Sequence, residues 1–242
     1  MIDQIRGLFD RKSLRSFSDK AVPEEIKNLI IDAGITAPSA GNQQLYTILD
    51  IEDQSIKEKL AILCDNQPFI AAAPMVLVLL AGCERWLDCY RYAGIEAREP
   101  GLGDLLIACE DTLIAAQNMV IAAQFLGLGS CYIGDIMENR DQLVELLHLS
   151  PVVFPATMLV FGYPSEQAEK RIKPERPARD YLVRKNYYTP LPEPELRAMN
   201  ESLFPGKDFD NYMKAFCSRK YMSDFALELN RSVAAYLKAF AK

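Results

Sequence analysis

Met75 to Ala81 is apolar at every position. A strand that offers water neither face must be covered on both, so this chain has to build a layered sheet with helices on either side. The neighbouring sequence supplies the pieces. Tyr46 to Glu52 and Ala156 to Tyr163 read as further strands, and Gln54 to Cys64 and Asn139 to His148 as helices. Glu24 to Ala37 sets Ile26, Leu29, Ile30, Ala33 and Ala37 at helical spacing behind acidic first-turn residues. Asp104 to Leu128 is apolar round most of its circumference and rich in alanine, the pattern of a buried helix that another helix can approach closely. It reads as the core helix and a dimer contact. Gly127 and Gly129 end it, and Ser130 to Ile133 begins a short strand.

With 242 residues and 50% hydrophobic content the chain can bury one large core. The expected organisation is a single domain over 1–242, with 83–103 as a cap segment and 187–242 as a C-terminal arm and helix. A formal charge of -6 argues against a nucleic-acid or anionic-membrane surface. The six cysteines contain no C-x-x-C pair and His148 is the single histidine, which disfavours a metal centre. No signal-like or membrane-spanning run is read, so the expected place is the cytoplasm with free thiols.

Against that acidic background two basic islands stand out. In Arg11-Lys12-Ser13-Leu14-Arg15-Ser16-Phe17, Arg11, Ser13 and Arg15 occupy alternate positions, which an extended backbone sends to one face. Two guanidinium forks and a hydroxyl suit an anion with several acceptors; the same residues also fit a solvated basic turn. The second island, Lys170 to Lys185, holds seven basic residues against two acidic ones. Prolines 174, 177, 190, 192 and 194 mark the chain from there onward as extended and irregular.

Three other stretches leave alternatives open. Ser39-Ala40-Gly41-Asn42 after Pro38 fits a ligand loop or a plain helix stop. Glu84 to Tyr92 mixes charge with aromatics and holds the one tryptophan, which fits a cap over a flat ligand or a helix packed by its rings. His148, in the last turn of its helix, fits a capping role better than catalysis. No paired-carboxylate motif, metal set, G-x-S-x-G, Walker loop or dinucleotide fingerprint is found, and an enzyme so equipped borrows its chemistry from a cofactor.

Five stretches in order complete the reading: Arg11-x-Ser13-x-Arg15-x-Phe17, Ala37 to Gln43, Gly127 to Asp135, Phe161 to Pro164, and Lys220 through Ser223-Asp224-Phe225 to Val233. Together they resemble the nitroreductase family of FMN-dependent oxidoreductases. The resemblance implies an α+β, three-layer fold, its central and mostly antiparallel sheet flanked by helices, with an extended C-terminal arm. It implies a homodimer with FMN between subunits, and hydride passed by ping-pong from NADH or NADPH to a nitroaromatic, quinone or flavin-like acceptor. Members with a specialised acceptor, in dehalogenation, flavin breakdown or ene reduction, and a non-enzymatic flavin-binding module are the alternatives.

Carried over by position, Arg11, Lys12 and Ser13 would hold the FMN phosphate and ribityl chain, Arg15 the pyrimidine edge, and Gln67 the polar edge. Pro38, Ser39 and Asn42 would come from the other subunit. The backbone of Tyr132, Ile133, Gly134 and Asp135 would approach the ring, and Lys173 and Arg176 would close on the phosphate. This chain departs from the pattern in the spacing Lys173-Pro174-Glu175-Arg176, in Gln43-Gln44-Leu45-Tyr46 after Asn42, and in Val183-Arg184-Lys185-Asn186, where a histidine is common.

Overall fold

The computed structural model describes residues 2–241. It divides into two compact units: one runs to Arg171 and resumes at Glu228, and the other is Ile172–Leu227. The first holds helices α1 (Ile2–Asp10), α2 (Glu24–Ile35), α3 (Gln54–Leu63), α4 (Pro68–Ala71), α5 (Glu84–Tyr92), α6 (Leu102–Phe125), α7 (Arg140–Leu147) and α8 (Glu166–Glu169). Its strands are β1 (Tyr46–Asp50), β2 (Met75–Gly82), β3 (Gly129–Ile133) and β4 (Val153–Gly162). The second holds α9 (Arg179–Leu182), α10 (Glu193–Leu203) and α11 (Phe209–Lys220), and α12 (Asp224–Leu237) starts there and continues into the first.

The sheet has the order β1-β2-β4-β3 with every pairing antiparallel. Its two apolar faces follow from the period of two along β2. Val76, Val78 and Leu80 join Met158, Val160, Cys131 and Ile133 under Leu60 of α3, Ile70 of α4 and Leu143 of α7. Met75, Leu77 and Leu79 join Leu159 and Phe161 against Ile30 of α2 and Met119 and Val120 of α6. The result is the three-layer α+β arrangement that the apolar strand demands.

Among the described residues α6 is the one helix long and apolar enough to cross a membrane. Here one side of it is spent in the core, with Ala108, Ala115, Ala116, Met119 and Ala123 wholly buried. A third cluster gathers Leu45, Ala81, Leu105 and Phe154 around Tyr236 and Phe240, with the Phe154 and Tyr236 rings edge-on at 5.3 Å. That is the surface against which Val233, Tyr236, Leu237 and Phe240, in α12 and just after it, pack.

The segment after α1 runs along the sheet as a partial fifth member. Ser13 forms a parallel bridge with Ser130, and Phe17 an antiparallel one with Pro164. The Leu14 amide donates to the Ser130 carbonyl at 2.9 Å, and the Ser18 amide to that of Tyr163 at 2.9 Å. This seam explains two motif glycines. A Cβ on Gly129 would stand 2.5 Å from Leu14 Cδ2, and one on Gly162 would stand 2.6 Å from Phe17 Cδ1 and 2.9 Å from Pro74 Cδ.

One stretch differs in part from expectation. Pro174, Pro177 and Pro190 lie in irregular chain, but Pro192 is the N-cap of α10 and Pro194 lies in its first turn, where a missing amide costs nothing. Asp208 then caps α11 by accepting from the Asn211 amide at 2.9 Å, and Phe204 stacks on Tyr212 at 4.5 Å.

Gly162→Ala is expected to destabilise the protein by about 1–3 kcal/mol through overpacking against Phe17 and the rigid Pro74 ring. Urea unfolding followed by circular dichroism checks it; an unchanged midpoint would show that the seam yields without cost.

Candidate functional site

The alternation read from the sequence is realised at the start of β3. Leu14 turns inward and is 4% exposed, so Arg11, Ser13 and Arg15 leave on the opposite side, beside the Cys131 thiol. Burial pushes that thiol up, and Arg15, Ser13 and Arg11 oppose the shift. Burial likewise holds the Tyr132 phenol up at about 12, with Arg11 pulling it down. Arg15 also lies over the Phe69 ring, 5.9 Å from its centre. Arg11 Nε is buried with no hydrogen-bond partner among the described residues, so one donor of its fork awaits an acceptor. A neighbouring cleft of about 340 Å³ is lined by Arg11, Lys12, Leu14, Gly129 and the acids Asp10 and Glu169, and Ser13 and Arg15 are not among its lining residues.

Lys12 is turned differently. Its ammonium donates to the carbonyls of Glu169 at 2.7 Å and Arg171 at 2.6 Å, which ties this segment to the turn after α8.

Gln67 stands before α4 in a sharp loop where Asp65 and Asn66 have φ of 60° and 52°. Its amide nitrogen donates to the Cys64 carbonyl at 2.8 Å, which orients the side chain. Tyr132, Ile133, Gly134 and Asp135 lead out of β3. Ile133 sends its side chain into the core at 1% exposure, so at this position only backbone can serve a ligand. Gly134 is exposed.

Behind these loops lies a residue the sequence reading passed over, Glu138. It is 6% exposed, and its Oε1 has no hydrogen-bond partner among the described residues. Burial first, then the charges of Asp135, Asp65 and Glu228, raise its carboxyl to about 7. No spacing signal marks it, because its environment is assembled from separate stretches of the chain.

The serine loop is held rigidly. Ser39 Oγ donates to Asp111 Oδ2 at 2.7 Å and the Ala40 amide to Asp111 Oδ1 at 2.9 Å. Pro38 and Asn42 are exposed, and the Gln44 side-chain amide donates to Asn42 Oδ1 at 2.9 Å. Asp111 was also missed, although an acid on the side of α6 that carries Ala108 and Ala115 was a legible sign. The 83–103 segment splits into helix α5 and an irregular 93–101. Arg98 closes the latter with a bidentate pair to Asp104 at 2.6 and 2.9 Å. His148 is the left-handed C-cap of α7, its amide on the Val144 carbonyl. Lys173 and Arg176 belong to the second unit, the former half-buried and the latter exposed.

Taken together, the first unit gathers Arg11, Ser13 and Arg15 with close backbone at the edge of an antiparallel α+β sheet, with no metal-ligating cluster among the described residues. Residues 8–163 match the model of the nitroreductase family, and the chain belongs to that family. It is 30% identical over 239 residues to an FMN reductase [NAD(P)H] of Bacillus subtilis, covering 98% of this chain and 91% of the relative. It is 33% identical over 203 residues to an oxygen-insensitive NADPH nitroreductase of Salmonella typhimurium, covering 84% and 82%. The solved structure of the hypothetical oxidoreductase YcnD from Bacillus subtilis superposes with a TM-score of 0.82 at 26% identity, covering 100% of this chain and 99% of that one.

The raised Glu138 carboxyl fixes a direction of pH dependence. The folded state keeps a proton that the unfolded chain releases near its ordinary value of 4.5, so Glu138 costs stability progressively as pH rises from there to about 7. Glu138→Gln should therefore melt higher than the wild type at pH 8, with the difference shrinking toward zero near pH 4.5. Paired melting curves across that range check it; a constant difference would contradict the assignment.

Proposed function

We propose that this chain is an FMN-dependent NAD(P)H oxidoreductase acting as a homodimer on small aromatic acceptors, namely nitroaromatics, quinones or flavins. The observation that carries the reading is the unmet Arg11 Nε beside Ser13, Arg15 and close-packed glycine backbone, a set that fits an anionic phosphate ester. When bound, FMN supplies the two-electron chemistry that no side chain here possesses.

The chain's own part is binding, orientation and charge. Arg11 and Ser13 hold the phosphate and ribityl chain, and Lys12 adds its charge while fixing the turn after α8. Arg15 brings a cation to the pyrimidine edge, where negative charge develops during reduction. Gln67 offers its side-chain oxygen at the polar edge, its nitrogen being engaged with Cys64. The backbone of Tyr132, Ile133, Gly134 and Asp135 lies along the ring. Pro38, Ser39 and Asn42 of a second copy complete the site. Donor and acceptor use one flat face in turn, which makes the kinetics ping-pong.

The homodimer is supported by apolar side chains that the single chain leaves in water. Leu106, Leu113 and Phe125 of α6 are 64%, 45% and 61% exposed. A cytoplasmic setting suits six free thiols.

The purified protein should carry yellow FMN that NADH or NADPH bleaches under anaerobic conditions and an added quinone restores. Arg15→Ala should weaken FMN binding about 10- to 100-fold, the effect of losing one charged partner, as read by fluorescence titration. A protein that stays colourless with added FMN, or whose flavin neither donor bleaches, would overturn the reading.

A further inference from the structure

Asp111 is 3% exposed in the middle of α6. Its Oδ2 accepts from Ser39 Oγ at 2.7 Å and from the Leu45 amide at 3.2 Å, and its Oδ1 accepts from the Ala40 amide at 2.9 Å. Ser39 Oγ in turn accepts from the Gln44 amide at 2.6 Å. One carboxylate thus satisfies donors at both ends of the 39–45 loop and draws it into a closed ring.

The ring holds a conformation that the loop would not keep alone. Gly41, Asn42 and Gln44 have φ of 58°, 57° and 48°, and two of these three bear side chains, for which the left-handed region is costly. The carbonyls of the same loop are pinned from the other side. Trp86 Nε1 donates to Gln43 at 2.8 Å, and Arg85 donates to Gln44 at 3.3 Å and to Tyr46 at 2.9 Å. The Ala40 and Leu45 amides are taken by α6 and the Gln43 and Gln44 carbonyls by α5, while Pro38, Ala40, Gly41 and Asn42 are exposed.

We infer that Asp111 is a positioning residue for the flavin site of the opposite subunit: it shapes the 38–42 loop for a cofactor held by the other copy's Arg11, Ser13 and Arg15. This rests on the proposed function, in which that loop crosses to the second copy. The carboxylate is specific to the task, since three donors converge on it. In Asp111→Asn the side-chain NH2 would have to face either the Ala40 amide or the Ser39 and Leu45 donors.

Because the two residues serve different sites, their defects complement. In a mixed dimer of Arg15→Ala and Asp111→Asn subunits, one site inherits both defects and the other none. Asp111→Asn homodimers should bind FMN at least about 10-fold more weakly than wild type, and Arg15→Ala homodimers likewise. Mixed dimers, isolated through two different affinity tags, should recover one FMN per dimer at wild-type affinity.

If Asp111 shaped only its own subunit's site, each site of the mixed dimer would carry one defect and no tight binding would return. Wild-type FMN affinity in Asp111→Asn, with binding lost in Arg15→Ala, overturns the positioning role alone. Unimpaired binding in Arg15→Ala overturns the flavin reading itself. Should Asp111→Asn fail to fold, Asp111→Glu, which keeps the charge but displaces the carboxylate from the ring, takes its place in both the homodimer and mixed-dimer arms, with the same two results deciding.

Discussion

The seam between residues 13–18 and the sheet governs this structure. A backbone hydrogen bond from Leu14 to Ser130 sets the register, and Leu14 and Phe17 occupy the space that Gly129 and Gly162 leave by having no side chains. Side chains along extended backbone alternate, so a shift of one residue would bury the arginines and expose the leucine. Register and function are therefore one constraint. Three stretches far apart in the chain, Arg11 to Phe17, Gly127 to Asp135 and Phe161 to Pro164, act as a single device that aims two cations and a hydroxyl along the outside of β3.

Two buried acids show how the same group serves opposite ends. Asp111 accepts every donor that reaches it and makes a left-handed loop rigid. Glu138 has an oxygen without a donor among the described residues and three acidic neighbours, so its proton is retained toward neutral pH. The first is a satisfied polar network, which specifies one geometry. The second is an unsatisfied group behind the loops that carry Gln67 and Asp135, the kind of local cost that folds keep near binding sites. Lys12 belongs with Asp111: its ammonium donates to the carbonyls of Glu169 and Arg171 and so fixes the turn after α8.

The second unit shows where local reading reaches its limit. Of five prolines within 174–194 that read as extended or irregular chain, Pro174, Pro177 and Pro190 lie in such chain, while Pro192 is the N-cap of α10 and Pro194 sits in its first turn, where the ring's fixed φ is already helical. Composition could not distinguish a proline that interrupts from one that initiates, since the difference is one of position relative to a helix not yet seen. The aromatics of 83–103 were similarly ambiguous. Trp86 turned out to spend its indole N–H on Gln43, binding α5 to the serine loop.

The order of residues by itself determined the layers, because a strand apolar at every position and a helix apolar round most of its circumference leave no other way to exclude water. It also determined the cationic face at Arg11, Ser13 and Arg15, because alternation is a property of extended backbone wherever it lies. Tertiary structure alone decided which loops stand behind that face. The donors that reach Asp111 come from 66 to 72 positions away, and the charges of Asp65 and Glu228 reach Glu138 from opposite ends of the chain. Hydrogen bonding and burial depend on distances in space, which no local pattern encodes.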